Sequence, residues 1–117
     1  MDFNKNTPIY IQIQEQMKLD IISNKYNPGE KIPSVREFAL KLKINPNTIN
    51  RALLELEEQK LIITKRTNGK YITEDKKIIE KEKTKLINKK IDEFIQDMKQ
   101  LGIDKKEIIN IIKEMEK

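Results

Sequence analysis

Cysteine and histidine are absent from the 117-residue chain. Without them there is no thiolate nucleophile, no imidazole base, no disulfide and no zinc site of the usual nitrogen or sulfur kind. Asp and Glu fall on helix surfaces among Lys partners, so no catalytic carboxylate pair, metal or cofactor is expected. Glycine and proline number only three and four, so each one marks a local break. No apolar run approaches the roughly 18 residues of a spanning helix, and no membrane association is expected. Residues 1–7 carry no basic segment followed by an apolar core, so no signal peptide is expected and the expected compartment is the cytoplasm. At 37% hydrophobic and 37% charged, the chain is too apolar for disorder and too charged for a membrane protein. Its length suits one small domain with an appended helical element.

The basic residues are mostly of one kind, 21 Lys against three Arg. With Ile and Asn also abundant, this looks like the codon bias of an AT-rich genome, and residues that resist the bias become informative. Arg36, Arg51 and Arg66 and the two alanines, Ala39 and Ala52, all fall within one 31-residue stretch. Net charge points to the same region. Residues 31–72 hold nine basic and four acidic side chains, which is the whole formal surplus of +5, while the remainder balances at 15 of each. A polyanion is the partner such a segment suits.

A first helix is expected from about Thr7 to Lys25, with Thr7 as N-cap, Pro8 at the first helical position and Ile9, Ile13, Met17 and Ile21 as its apolar stripe. Asn27-Pro28-Gly29 ends it. Ser34 with Glu37 forms a capping box for a short second helix that turns Phe38, Ala39 and Leu42 inward and ends near Lys43. Asn45-Pro46 opens a third helix to about Lys60, with Ile49, Ala52, Leu53 and Leu56 buried. Two short helices so closely joined read as a helix-turn-helix, with Lys43 standing where a glycine is frequent. Ile62-Ile63-Thr64 and Lys70-Tyr71-Ile72 then bracket Thr67-Asn68-Gly69, a basic hairpin in the position of a wing.

At about 100° per residue, Asn47, Asn50, Arg51 and Leu54 fall opposite the core stripe of the third helix, with Thr48 at the margin. The amides can pair bidentately with adenine, Arg51 with guanine or a phosphate, and Thr48 with a phosphate or a thymine methyl. Glu58 on the same face limits contact to the first two turns, and Leu54 has no evident role. Taken singly, Asn45, Asn47 and Thr48 also read as capping residues and Arg36 and Arg51 as solvated charges or ion pairs. Lys65, Arg66 and Lys70 also read as charges that protect an edge hairpin from aggregation.

Three segments, Pro28-Gly29-Glu30, Ile32-Pro33-Ser34-Val35-Arg36-Glu37-Phe38-Ala39 and Asn45-Pro46-Asn47-Thr48-Ile49-Asn50-Arg51-Ala52-Leu53, resemble the winged-helix domain of GntR-type bacterial transcription regulators. The Asn45-to-Thr48 run, the start Pro8-Ile9-Tyr10 and the short tail resemble its YtrA-type subfamily. The resemblance implies a dimeric repressor on a palindromic operator, with transporter operons as the usual targets. It matches Arg36 to a DNA-contacting arginine, Asn47, Thr48 and Asn50 to contact positions of the recognition helix, and Gly69 to the wing-tip glycine. Many relatives carry Arg at the positions of Pro46 and Asn50, so their base preferences do not transfer. The full set expected at DNA is Ser34, Arg36, Asn45, Asn47, Thr48, Asn50, Arg51, Lys65, Arg66, Asn68, Gly69 and Lys70.

From Asp75 to Leu101 the chain is nearly all charged or apolar and is expected to form one long helix, stopped by Gly102. Asp104 with Glu107 caps a last helix carrying Ile108, Ile111, Ile112 and Met115. Forty-three residues are too few to bury two amphipathic helices alone. The apolar positions are therefore expected to pair two copies, at Ile79, Leu86, Ile87, Ile91, Phe94, Ile95, Met98, Leu101, Ile108 and Ile112. The alternative packs both helices on the N-terminal domain. The expected fold class is mainly α with a small β-hairpin: a winged helix-turn-helix over residues 1–74 and a two-helix dimerisation tail over 75–117. The expected partners are double-stranded DNA and a second copy of the chain, with no effector indicated. A protein-interaction or scaffolding module, with a winged-helix domain and a coiled-coil tail, is the rival from another class.

Overall fold

A computed structural model describes residues 2–66 and 69–116, which form five helices and a two-stranded sheet. Two compact units divide them, residues 1–81 and 82–117.

In the first unit, α1 (Ile9–Ile22) buries Ile13, Met17 and Ile21 and leaves Ile9 exposed. Its N-cap is Pro8 rather than Thr7. With ψ at 140° Pro8 is extended and lies just outside the helix, while its carbonyl accepts from Ile11 and Gln12. The Gln12 side chain organises the entry, donating to the Asn4 and Thr7 carbonyls and accepting from the Asn4 amide. Gly29, at φ +79°, turns the chain back, and its amide donates to the Ile72 carbonyl. A Cβ there would stand 3.1 Å from Oε1 of the exposed Glu74 side chain, which can move aside, so it is the positive φ that favours glycine.

The helix α2 (Val35–Leu42) starts on the expected capping box: Ser34 Oγ accepts from the Glu37 amide and Glu37 Oε1 from the Ser34 amide. Its C-cap, Lys43, is left-handed at φ 56°, the conformation for which glycine is usual. A Lys43→Gly exchange should therefore raise thermal stability, because it relieves a strained left-handed residue at an exposed site. A melting curve no higher than the parent's would count against strain at this turn. Ala39, small and buried, lies beneath the turn and accepts from the Lys43 and Ile44 amides. The third helix, α3 (Pro46–Glu58), is capped by Asn45 Oδ1, which accepts from the Asn47 amide. Ile49, Ala52, Leu53 and Leu56 are fully buried, and α3 packs against both α1 and α2.

The hairpin pairs β1 (Ile62–Lys65) with β2 (Gly69–Ile72) in antiparallel register, Ile62 opposite Ile72 and Lys65 opposite Gly69. Ile62 and Ile72 close the core from this side. Residues 30–32 also run along β2, with Ile32 donating to the Lys70 carbonyl and Ile72 to that of Glu30. That third edge was not legible in the sequence, because three residues between two prolines are too short to show alternation.

The helix α4 (Lys76–Gln100) begins in the first unit, where Asp75 Oδ1 accepts from the Lys77 amide. Ile79 is 8% exposed and belongs to the core of this unit. In the second unit, Gly102, at φ +77°, ends α4, and the Ile103 amide donates to the Met98 carbonyl. Asp104 Oδ1, accepting from the Glu107 amide, caps α5 (Lys105–Met115). Ile108 is buried there, and Ile95, Met98 and Ile103 are half-buried. Among the described residues no helix is long and apolar enough to cross a membrane.

Candidate nucleic-acid interface

The buried stripe of α3 fixes what its outer face presents. Asn47, Asn50, Arg51 and Leu54 are exposed, Thr48 is half-buried, and the Asn47 and Asn50 side chains have no hydrogen-bond partner among the described residues. Two flanks border this face. On one, Glu57 reaches the wing, accepting from Thr64 Oγ1 at 3.0 Å and pairing with Lys70. On the other, Arg51 reaches α1: its guanidinium carbon lies 3.9 Å from the centroid of the Tyr10 ring, and Nη2 donates to Tyr10 Oη at 3.3 Å.

Arg36 occupies the second position of α2, directly behind the capping box, exposed and without a partner among the described residues. Ser34 and Asn45, expected at DNA, have their side-chain oxygens engaged in the caps of α2 and α3. At the start of α2 the Val35 and Arg36 amides have no acceptor among the described residues, whereas α3 leaves no amide free there, because Pro46 has none and those of Asn47, Thr48 and Ile49 bond to Asn45.

In the wing, Lys65 holds its ammonium 4.4 Å from the centroid of the Tyr71 ring, and Arg66 is exposed at the turn. Lys70 differs from the expectation. The register sets it opposite Thr64 on the side facing α3, where its ammonium pairs with Glu57 and donates to Thr64 Oγ1, so its charge is neutralised within the unit. Asn68, also expected at DNA, lies outside the described residues. Gly69, at φ +97°, has the Lys31 side chain beside it, 3.3 Å from where a Cβ would stand. Lys31 is exposed at the wing and was missed as an individual residue, although its charge counted in the basic segment. Tyr10 and Glu57 were missed too, since neither residue type announces a role before the elements meet.

These placements separate the wing cations. Arg66→Ala should flatten the salt dependence of binding to a duplex by about 0.9 in log–log slope, the signature of one phosphate no longer neutralised. Lys70→Ala should leave the slope nearly unchanged and lower thermal stability instead. Equal slope changes for both would show that the Glu57–Lys70 pair opens on binding.

Of the ten apolar positions expected to pair two copies, Ile87, Ile91, Phe94, Leu101 and Ile112 are exposed, while Leu86, Ile95 and Met98 are half-buried. Two are placed elsewhere. Ile79 is occupied in the first unit's core, and Ile108 is buried, at 8% exposure. Ile109, Ile111 and Met115 add exposed apolar surface on α5. Among the described residues no group of three or more acidic side chains is placed to hold a metal ion.

Comparison with known proteins accounts for this arrangement. The family model described as bacterial regulatory proteins, gntR family, matches residues 9–72. The HTH-type transcriptional repressor YtrA of Bacillus subtilis is 41% identical over 104 residues, 89% of this chain and 75% of its own length. The uncharacterized HTH-type transcriptional regulator YhcF of the same organism is 39% identical over 111 residues, 95% of this chain and 92% of its own. A solved GntR family transcriptional regulator from Listeria monocytogenes superposes with a TM-score of 0.88 at 44% identity, covering 96% of this chain and 98% of that one. Its relatives are regulators rather than enzymes, and the chain belongs to the gntR family of bacterial regulatory proteins, as a transcriptional regulator with a DNA-binding winged helix-turn-helix.

Proposed function

We propose that the protein is a cytoplasmic repressor that binds a palindromic operator in double-stranded DNA as a homodimer. Residues 1–74 form the reading domain and 75–117 the dimerisation tail, and transporter genes are candidate targets. The observation that carries this reading is the outer face of α3, where Asn47 and Asn50 have unengaged side-chain amides beside the exposed Arg51. An amide that pairs with nothing in the protein is available to the N6 and N7 edge of adenine. Arg51, Lys65 and Arg66 supply phosphate contacts around it, with Lys31 beside the wing, and Arg36 brings a planar fork to the same duplex. The name of the 41% identical relative, a transcriptional repressor, supports repression. The exposed apolar side chains of the second unit support pairing.

Selection of bound duplexes from a random pool tests the whole reading, because a palindromic consensus requires both base recognition and two-fold symmetry. Asn50→Ala should relax preference at particular base pairs, by about 1 to 3 kcal/mol at each, while Arg66→Ala weakens all duplexes alike. Selection that returns no consensus, or an Asn50→Ala effect spread uniformly over sequences, would overturn the assigned face. A protein that ignores DNA and captures another protein would be the scaffolding module instead.

A further inference from the structure

Among the cations of the first unit, Arg51 and Lys65 lie against aromatic rings, and of the two Arg51 is on α3. Lys70 is held by a carboxylate, which fixes its position and cancels its charge. Arg51 is held by a neutral ring: Tyr10, the second residue of α1, is half-buried against the core, and its ring centroid lies 3.9 Å from the guanidinium carbon. No carboxylate pairs with Arg51 among the described residues. Stacking engages the face of a guanidinium and leaves its edges free. Of five N–H donors, one is given to Tyr10 Oη, so the others remain available to an acceptor outside.

We infer that Tyr10 is a positioning residue for DNA binding, holding Arg51 on the α1 flank of the recognition helix with its charge intact and its free N–H edge ready for a phosphate beside the major groove. The inference rests on the reading of the α3 face as the DNA-contacting surface. Its physical content is pre-organisation. A free arginine side chain loses rotamer entropy when it docks on a phosphate, and a ring anchored in the core removes most of that loss before DNA arrives. Tyr10 is suited to this because its body packs among apolar residues while its face and hydroxyl stay at the surface.

The test is a double-substitution cycle on the full-length chain, using a duplex selected from the random pool and a scrambled duplex of the same composition. Arg51→Ala should weaken both about tenfold, as expected when a charge-assisted hydrogen bond is removed, and flatten the salt slope by about 0.9. Tyr10→Leu should weaken both about three- to tenfold in the parent and have no further effect in the Arg51→Ala background. Tyr10→Phe, which keeps the ring face, should stay within about twofold of the parent. Melting curves accompany every variant. If Tyr10→Leu does not fold, Tyr10→Phe and Arg51→Lys carry the test: Lys keeps the charge but loses the stacked fork, so it should weaken binding severalfold.

Equal effects of Tyr10→Leu in both backgrounds, an Arg51→Ala protein that melts earlier yet binds as the parent does, or Arg51→Lys binding at parental strength would each overturn the inference while leaving the DNA-reading function standing. A parent that binds neither duplex would overturn that function and the inference with it.

Discussion

Replacing Ile91 and Phe94 together with Glu is expected to give a monomer that keeps its helical circular dichroism and loses operator affinity by about 10²- to 10⁴-fold. Both side chains are nearly half-exposed in the isolated chain, at 49% and 43%, so the substitutions cost little within one protomer. The cost falls on the pair. Four carboxylates brought into an apolar seam must be desolvated against like charge, and several kcal/mol of penalty exceeds what such a contact supplies. Operator affinity follows because the two half-sites of a palindrome lie about 34 Å apart, one helical turn. Once one protomer is seated, the second binds at an effective concentration set by the linkage rather than by the solution. Sedimentation gives the oligomeric state and competition binding the affinity. A variant that stays dimeric, or a monomer with undiminished affinity for the full palindrome, would refute the assignment of the tail.

Truncation offers a parallel test, and its boundary matters. Removal of everything after Glu74 would strip Ile79 from the first unit's core, whereas a cut after Lys81 retains it. The shorter deletion should therefore leave the better-folded monomer.

Elements that depend on local chemistry were legible in the sequence. Ser34 with Glu37, Asn45 before Pro46, and the four apolar positions of α3 each carry their signal within one or two turns of chain, and each is found where that signal puts it. Lys43 shows the limit of a local rule, since it adopts the left-handed conformation for which glycine is usual, with its amide bonded to the Ala39 carbonyl. What remained hidden depends on elements meeting. Arg51 and Tyr10 are 41 residues apart, and the partner of Lys70 is known only once the hairpin register turns it toward Glu57. Periodicity ranked Ile79 with the tail because it extends the same apolar side, yet the first turn of α4 packs its side chain into the unit before it. The apolar face of a helix is visible in sequence, but which body covers it is not.

Arg36→Lys is expected to weaken binding to the selected operator about ten- to a hundredfold while leaving the salt slope almost unchanged. Arg36 stands at the second position of α2, held in place by the Ser34–Glu37 capping box, exposed and with no acceptor of its own among the described residues. In a chain where Lys outnumbers Arg by 21 to three, the position holds the side chain whose planar fork satisfies two acceptors at once. Those acceptors are guanine O6 and N7, or two oxygens of one phosphate. Lysine preserves the charge, and with it the release of counterions, but offers a single point of donation. Affinity should therefore fall without a matching change in slope. Ser34→Ala separates the fork from its support: loss of the cap should cost about 1 kcal/mol of stability and loosen the start of α2, giving a smaller loss of affinity with Arg36 still present. Base preference assigns the acceptor. If Arg36 reads a guanine, Arg36→Lys relaxes selection at one position of each half-site, whereas if it grips a phosphate, the replacement weakens all sequences together. If Arg36→Lys held the operator as tightly as the parent at moderate salt, the fork would be irrelevant, and Arg36 would act as one more positive charge.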